Sequence, residues 1–371
     1  MGPEAVSSPP GPDSVLLETT LRTRLPFRAE LVNVVPLRGD ASNRRYYRLT
    51  LKNGPIPSLI LMQLADTEGF KVSEEAVSGA AADVRELPFL NVLRPLARSG
   101  IPVPELHFYD EAAGLLYLQD FGDLTLFHAC SRDGAPAVRK YYPLAIDTLV
   151  RIHLRLTACG ADDCQAFSRS FDEPLLTWEF EHFLEYGIWA RRDKQPICAD
   201  DEQVIRKGFS TIAEWIAGQA RVFTHRDYHS RNLMVDGDRL GVIDFQDALL
   251  GPATYDLASL LRDSYVALDE AFVDEMIDRY VTGMCAGLES DDQERLLLTD
   301  RAAFRRLFDF TSIQRNLKAA GRFVYIDRVK GNPKFLADIP RTLGYVRRNL
   351  ERYPELEPLL LHLTPYVPEW R

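Results

Sequence analysis

The chain lacks most of what ties a protein to a membrane, a nucleic acid or an oxidising compartment. Its five cysteines, Cys130, Cys159, Cys164, Cys198 and Cys285, are odd in number, scattered and without a C-x-x-C pair, which argues against a disulfide framework and a zinc site. No apolar run approaches the roughly 18 residues a membrane span needs, and the N-terminus lacks the basic-then-apolar order of a signal peptide. Met1-Gly2 opens like a myristoylation site, but Pro3 follows the glycine and Val6 stands where Ser or Thr is required. The net charge of −10 leaves no broad basic face for nucleic acid or an anionic membrane. The expectation is a cytoplasmic protein with neither kind of partner.

Two glycine signatures are also missing. There is no G-x-G-x-x-G and no G-K-[ST], which disfavours a Rossmann dehydrogenase and a P-loop ATPase. What is present is an ordinary globular composition, 46% hydrophobic and 26% charged, in 371 residues, enough for two lobes.

Residues 1–14, MGPEAVSSPPGPDS, read as a disordered tail. After them come strands at Leu31 to Leu37, Arg44 to Leu51 and Ser58 to Leu64, separated by the turn clusters GDASN and KNGPIP. A helix from Leu87 to Ser99 ends before GIPVP, and strands follow at Leu106 to Tyr109 and Leu115 to Gln119. Beyond Gly122 the period changes. Tyr142, Ile146, Leu149 and His153 recur at helical spacing, Asp172 suits an N-cap, and Ile212, Trp215 and Ile216 mark a further helix. The helices stop between Val222 and Ile243 for a polar loop and a hairpin around Asp236-Gly237, then resume from Asp256. The expected fold is α+β, bilobal and protein-kinase-like. An N-terminal lobe, residues 15–122, holds a five-stranded antiparallel sheet with one helix, and residues 123–371 form a mostly helical lobe; the cleft between lobes is the default ligand site.

The chemistry is concentrated in HRDYHSRN, His225 to Asn232, and IDFQD, Ile243 to Asp247. Phosphoryl transfer needs a carboxylate to receive the acceptor's proton and oxygen ligands to hold Mg²⁺ against ATP phosphates. Asp227, Asn232 and Asp244 supply these in kinase spacing, Asp227 as base and the other two as metal ligands, because a hairpin can fold Asp244 back beside the loop. Asp120-Phe121-Gly122 spells DFG but lies upstream of the loop, where a connector belongs; Gln119 and Phe121 are placed there beside the adenine.

At the first strand turn, Asp40, Ser42 and Asn43 offer N–H groups and a hydroxyl to phosphates, with a plain hairpin turn as the alternative. The third strand carries Met62 where a protein kinase has its lysine, so Arg44 and Arg48, on one strand face, are candidates for the missing cation. GPATYDLASLL follows Asp247 with no room for an activation loop, which favours a small-molecule acceptor. Asp256 is placed to cap that helix, with bracing of the catalytic loop as a second reading.

HRDYHSRNLMV and GVIDFQDALLGPATYDLASLL resemble the aminoglycoside-phosphotransferase superfamily, which includes choline, homoserine and sugar kinases. The resemblance is closer to the anomeric sugar kinases of bacterial peptidoglycan recycling, through RGDASNRRYYRL, SLILMQLA, GIPVPELHFYDEAAGLLYLQDFGD, FDEPLLTWEFEHF and SIQRNLKAAGRF, from about residue 30 to residue 350. It implies phosphorylation of the anomeric hydroxyl of N-acetylmuramate or N-acetylglucosamine, and a separate nucleotidylyltransferase as the next enzyme. It implies too that the segments around Glu179, His182 and Arg231, and around Gln314, Arg315 and Lys318, shape the sugar site, with His225 buttressing the loop. Arg315, Lys318 and Arg322 lie at helical spacing, which suits an acceptor with a carboxylate better than a polycationic aminoglycoside; a solvated basic face is the other reading. Other small alcohols such as choline, and a nucleotide-binding regulator without activity, are the competing functions.

Overall fold

A computed structural model describes residues 11–37, 44–64, 86–159, 164–193, 195–289 and 298–371. The chain divides into two compact units: residues 1–69 with 104–122, and residues 70–103 with 123–371.

The first unit opens with helix α1, Ser14–Thr23, which begins where the expected tail of residues 1–14 ends and was not itself anticipated. Asp13 caps it, its carboxylate accepting from the Val15 N–H at 2.9 Å, and Leu17 and Leu21, one turn apart, are buried. A five-stranded antiparallel sheet follows, β1 (Glu30–Leu37), β2 (Arg45–Lys52), β3 (Ser58–Gln63), β4 (Leu106–Asp110) and β5 (Leu115–Gln119), in the order β1-β2-β3-β5-β4. Strand alternation puts Tyr47, Leu49 and Leu51 of β2, Leu59 and Leu61 of β3 and Leu115 and Tyr117 of β5 into one cluster with Leu17 and Leu21. Each fully buried leucine there contributes about 1.5–3 kcal/mol. The leucines of α1 therefore belong to this core.

In the second unit, α2 (Pro88–Arg98) starts at a proline in its first turn and buries Phe89, Leu90, Val92, Leu93 and Leu96. Here the structure departs from a continuous lobe ending at Gly122. Asn91 of α2 accepts the Gln165 N–H at 2.8 Å, and the Phe89 ring lies 5.0 Å from that of Phe245, so this helix is part of the helical unit.

The remaining helices are α3 (Leu126–Asp133), α4 (Ala135–Cys159), α5 (Glu173–His182), α6 (Ala199–Ala217), α7 (Thr254–Leu261), α8 (Glu270–Gly287), α9 (Arg301–Lys330), α10 (Ile339–Arg352) and α11 (Glu357–Leu363). Helix α5 runs on into a π-helical turn, Phe183–Trp189. Its N-cap is Asp172, which accepts from the Leu175 N–H. Strand β6 (Arg221–Thr224) pairs antiparallel with β9 (Leu249–Pro252), and this pairing closes residues 225–248 into one loop system. Inside it, β7 (Leu233–Asp236) and β8 (Arg239–Val242) form the hairpin. Asp236 pairs with Arg239, so the two turn residues are Gly237 and Asp238, one position later than expected, with Gly237 at φ 61°.

Candidate active site

The loop system brings the three key residues together. The Asn232 amide donates to the Asp227 carbonyl at 3.0 Å and to Asp244 Oδ2 at 3.3 Å, while Ile243 N–H donates to the Asn232 carbonyl at 3.1 Å. The hairpin is the cause: Leu233 pairs with Val242, so the residues just outside that pair are held side by side. Gln246 donates to Asp244 Oδ1 at 2.9 Å. Both amide hydrogens of Asn232 are engaged, leaving its oxygen, beside the Asp244 carboxylate, as the atom it offers a cation.

Two residues here have positive φ without being glycine, Arg226 at 81° and Asp244 at 65°. Such backbone costs of order 1–3 kcal/mol per residue and persists only where surroundings enforce it. For Arg226 the enforcing group is Asp256. Its carboxylate, with no exposed surface, accepts the His225 N–H at 2.6 Å and the Arg226 N–H at 2.9 Å. Asp256 lies inside the first turn of α7, and the cap position, Ala253, has no side-chain bond. The capping expectation is thus replaced by the bracing one: a helix first turn needs no carboxylate when the N–H groups it reaches belong to another loop. His225 supports the same loop. Its Nδ1 accepts from the Asp227 N–H at 3.3 Å, which assigns the proton to Nε2, 3.0 Å from the Ile243 carbonyl.

Asp263, seven residues after Asp256, was not anticipated. It accepts the Ser230 N–H and the Tyr265 N–H, each at 2.9 Å, fixing the far side of the catalytic loop. It lies just beyond the end of α7, so no helical spacing in the sequence signalled it.

Around Asp227 the charge is positive. Burial works against its ionisation, but Lys318, His229, Arg226 and Arg315 outweigh that and hold its pKa well below the usual carboxylate range. Burial keeps the His229 imidazole below its ordinary value despite nearby carboxylates.

The residues expected to shape a sugar site fall into two groups. Glu179 has no exposed surface. Its oxygens accept from Arg226 at 3.1 Å, Gln314 at 2.7 Å and Lys318 at 3.2 Å, so it organises cations and does not meet an acceptor directly. Arg315 is likewise buried, donating from Nε to the Ser259 hydroxyl. Of the basic residues at helical spacing on α9, Arg315 is buried and bonded and Lys318 is paired with Glu179, so this is not a freely solvated basic face. Lys318 and His182 remain partly exposed, as does Arg231, whose guanidinium lies 3.7 Å from the Tyr265 ring centre and 4.9 and 5.3 Å from those of Phe127 and Phe335.

In the first unit, Arg48 is not a lone cation. It makes a two-pronged ion pair with Asp120, 2.6 Å from Nε and 3.1 Å from Nη2, and Asp120 also accepts from Ser58 at 2.7 Å and the Gly122 N–H at 2.8 Å. Burial opposes ionisation of Asp120, yet these donors keep its pKa low. The D of DFG is thereby spoken for. Met62 is wholly buried, Arg44 precedes β2, and Gln119 accepts from the Glu105 N–H. Asp40, Ser42 and Asn43 lie outside the described residues.

A five-stranded antiparallel sheet in one unit, with a helical unit carrying the catalytic-loop pattern, defines a protein-kinase-like phosphotransferase. The sequence pattern of the phosphotransferase enzyme family matches residues 33–293, and the chain belongs to that family. Membership makes it a kinase, taking its phosphoryl group from ATP with a divalent metal. It is 30% identical over 333 residues to a Neisseria meningitidis protein named N-acetylmuramate/N-acetylglucosamine kinase, covering 88% of this chain and 89% of that one. A Pseudomonas putida protein of the same name is 32% identical over 274 residues, covering 73% and 75%. Among solved structures, choline kinase from Cryptosporidium parvum shares the fold, with a TM-score of 0.58 at 12% identity over 94% of this chain and 99% of that one.

Proposed function

We propose that the chain phosphorylates the anomeric hydroxyl of N-acetylmuramate and N-acetylglucosamine, with Asp227 as base and Asn232 and Asp244 holding Mg²⁺. The observation that carries this reading is the contact of Asn232 with both Asp227 and Asp244, in a chain whose relatives bear that kinase name. An amide oxygen and a carboxylate suit a hard cation. When bound, the metal neutralises charge on the transferring phosphates.

The protein's own part is positional. Asp227 Oδ orients the acceptor hydroxyl and takes its proton as the anomeric oxygen bonds to the γ-phosphorus and the bond to the leaving ADP oxygen breaks. Lys318 and Arg226 beside Asp227 keep it ionised and ready to accept. The same positive surroundings favour an anionic or neutral acceptor over a polycationic aminoglycoside. In the other unit, Arg44, Gln119 and Phe121, with Asp40, Ser42 and Asn43, are assigned to the nucleotide. The product is a glycosyl phosphate, which a separate cytoplasmic nucleotidylyltransferase would consume.

The test is incubation with Mg-ATP and, separately, N-acetylmuramate, N-acetylglucosamine, choline and an aminoglycoside, followed by mild acid. Acid-labile sugar phosphate from the first two is the expected result. Transfer only to choline or the aminoglycoside, or an acid-stable product, would overturn the assignment of acceptor.

A further inference from the structure

Beyond the catalytic loop, α5 and α9 share a feature that the transfer chemistry does not use. Trp178 and His182 stand four residues apart on α5, with ring centres 5.7 Å apart and planes within 18°. Tyr186, a further four residues on, lies in the π turn Phe183–Trp189 with its ring centre 4.8 Å from that of His182. From α9, Tyr325 completes the group, 5.6 Å from His182 and 5.0 Å from Tyr186 at 89°. The two segments meet closely because residue 321 is glycine: a Cβ there would come within 2.9 Å of Phe183 Cα and 3.1 Å of the His182 carbonyl.

All four rings are only partly buried, whereas Phe180, Phe183 and Phe323 on the neighbouring turns are in the core. Trp178, Tyr186 and Tyr325 pack against the core on one side and leave part of each ring at the surface. Arg322 lies 4.7 Å over the Tyr325 ring and, among the described residues, has no carboxylate at ion-pair distance. Exposed Glu185 bonds to Tyr186. The patch connects to the catalytic loop through Lys318, whose ammonium sits 3.2 Å from Glu179, itself bonded to Arg226 next to Asp227. Lys318, Arg322 and Tyr325 follow one face of α9, with a rise of about 10 Å from first to last. That is the span of one pyranose with a short acidic substituent.

We propose that His182, Tyr186 and Tyr325, with Arg322 above the last ring, form the subsite for the sugar ring and carboxylate of an acidic amino-sugar acceptor. The rings take the C–H face of the pyranose, and Arg322 pairs with the carboxylate. The proposal rests on the sugar-kinase reading above and adds to it the residue that separates the two sugars, since N-acetylmuramate differs from N-acetylglucosamine by one lactyl ether.

The experiment compares kcat/KM for the two sugars in the full chain. Arg322→Gln lowers the ratio of N-acetylmuramate to N-acetylglucosamine about tenfold, through KM, and Arg322→Lys restores part of it. Tyr325→Ala raises KM for both sugars about tenfold, read also as weaker sugar quenching of tryptophan fluorescence. In the unmutated chain, added salt raises KM for N-acetylmuramate more than for N-acetylglucosamine, a measurement that no folding defect can confuse. An unchanged ratio in Arg322→Gln together with equal salt response of the two sugars overturns the proposal while leaving the kinase reading intact. Failure of the unmutated chain to phosphorylate either sugar removes the reading, and the subsite with it.

Discussion

Exchanging Asp227 for Asn keeps the size and most hydrogen bonds of the side chain but removes its ability to take a proton. On the proposed mechanism, Asp227→Asn lowers kcat by about 10²–10⁴-fold with little change in melting temperature. A fold change below ten at saturating sugar and Mg-ATP would remove Asp227 from that role. The pH behaviour follows from the direction of its shift. A carboxylate whose pKa is depressed in the folded protein is already ionised everywhere above its ordinary value of 3.8, so its protonation contributes an acid limb only below that. The rate profile is therefore flat on the acid side down to about pH 4–5. A limb centred near neutrality would assign the base to another group. Asp256 is a different kind of residue, structural and fully buried, with two backbone donors. Asp256→Ala leaves both N–H groups without an acceptor, at roughly 1–3 kcal/mol each, and the loss appears in both denaturation midpoint and kcat. Asp256→Asn, which keeps one acceptor oxygen, falls between.

At the scale of elements, two glycines bear on the site, one through its backbone angle and one through a close approach. Gly237 turns the β7–β8 hairpin at φ 61° with open space around it, so Gly237→Ala introduces backbone strain alone, about 1–2 kcal/mol. Gly321→Ala meets the backbone of the π turn, which cannot step aside as a side chain can. Its cost is about 1–3 kcal/mol, and sugar KM rises because the His182–Tyr325 contact opens. A melting curve and a sugar titration check both. These elements also mark how far the sequence could be read. The five strands and the loop residues Asp227, Asn232 and Asp244 were legible, because strand alternation and kinase spacing are local patterns. Helix α1 was missed although Asp13 and the Leu17–Leu21 interval signalled it, since the proline-rich stretch ahead dominated the composition. The partners of Arg48, Glu179 and Asp256 were not legible, because each lies at least thirty residues away in the chain and only the packed helices and strands bring it near. The π turn has no sequence period of its own and was not anticipated.

For the molecule as a whole, a net charge of −10 describes the surface and conceals the interior. Positive charge is gathered around Asp227, while negative charge ties helices together elsewhere, and Glu270 is the clearest case. From the first turn of α8 it takes both arms of Arg262, at 2.8 and 2.7 Å, together with Arg305 of α9 at 3.3 Å and Arg348 of α10. One carboxylate thus joins the end of α7 to three other helices. Partial burial pushes its pKa up, but Arg262 first, then Arg348 and Arg305, bring it down to about 2 from an ordinary 4.5. A depressed carboxylate gives stability that is complete above its unfolded value and is lost as pH falls through its folded value. The expected window is therefore from about pH 4.5 down to about 2, and the group stays partly exposed, so solvent screens the effect. In denaturant titrations, Glu270→Gln is less stable than the unmutated chain at neutral pH. Below about pH 4.5 the gap closes, because the unfolded chain then takes up a proton that the folded carboxylate, still ionised down to about pH 2, does not. A gap that stays constant from about pH 6 to about pH 3 would mean that Glu270 acts by shape and not by charge, and that the four helices are held by their apolar contacts alone.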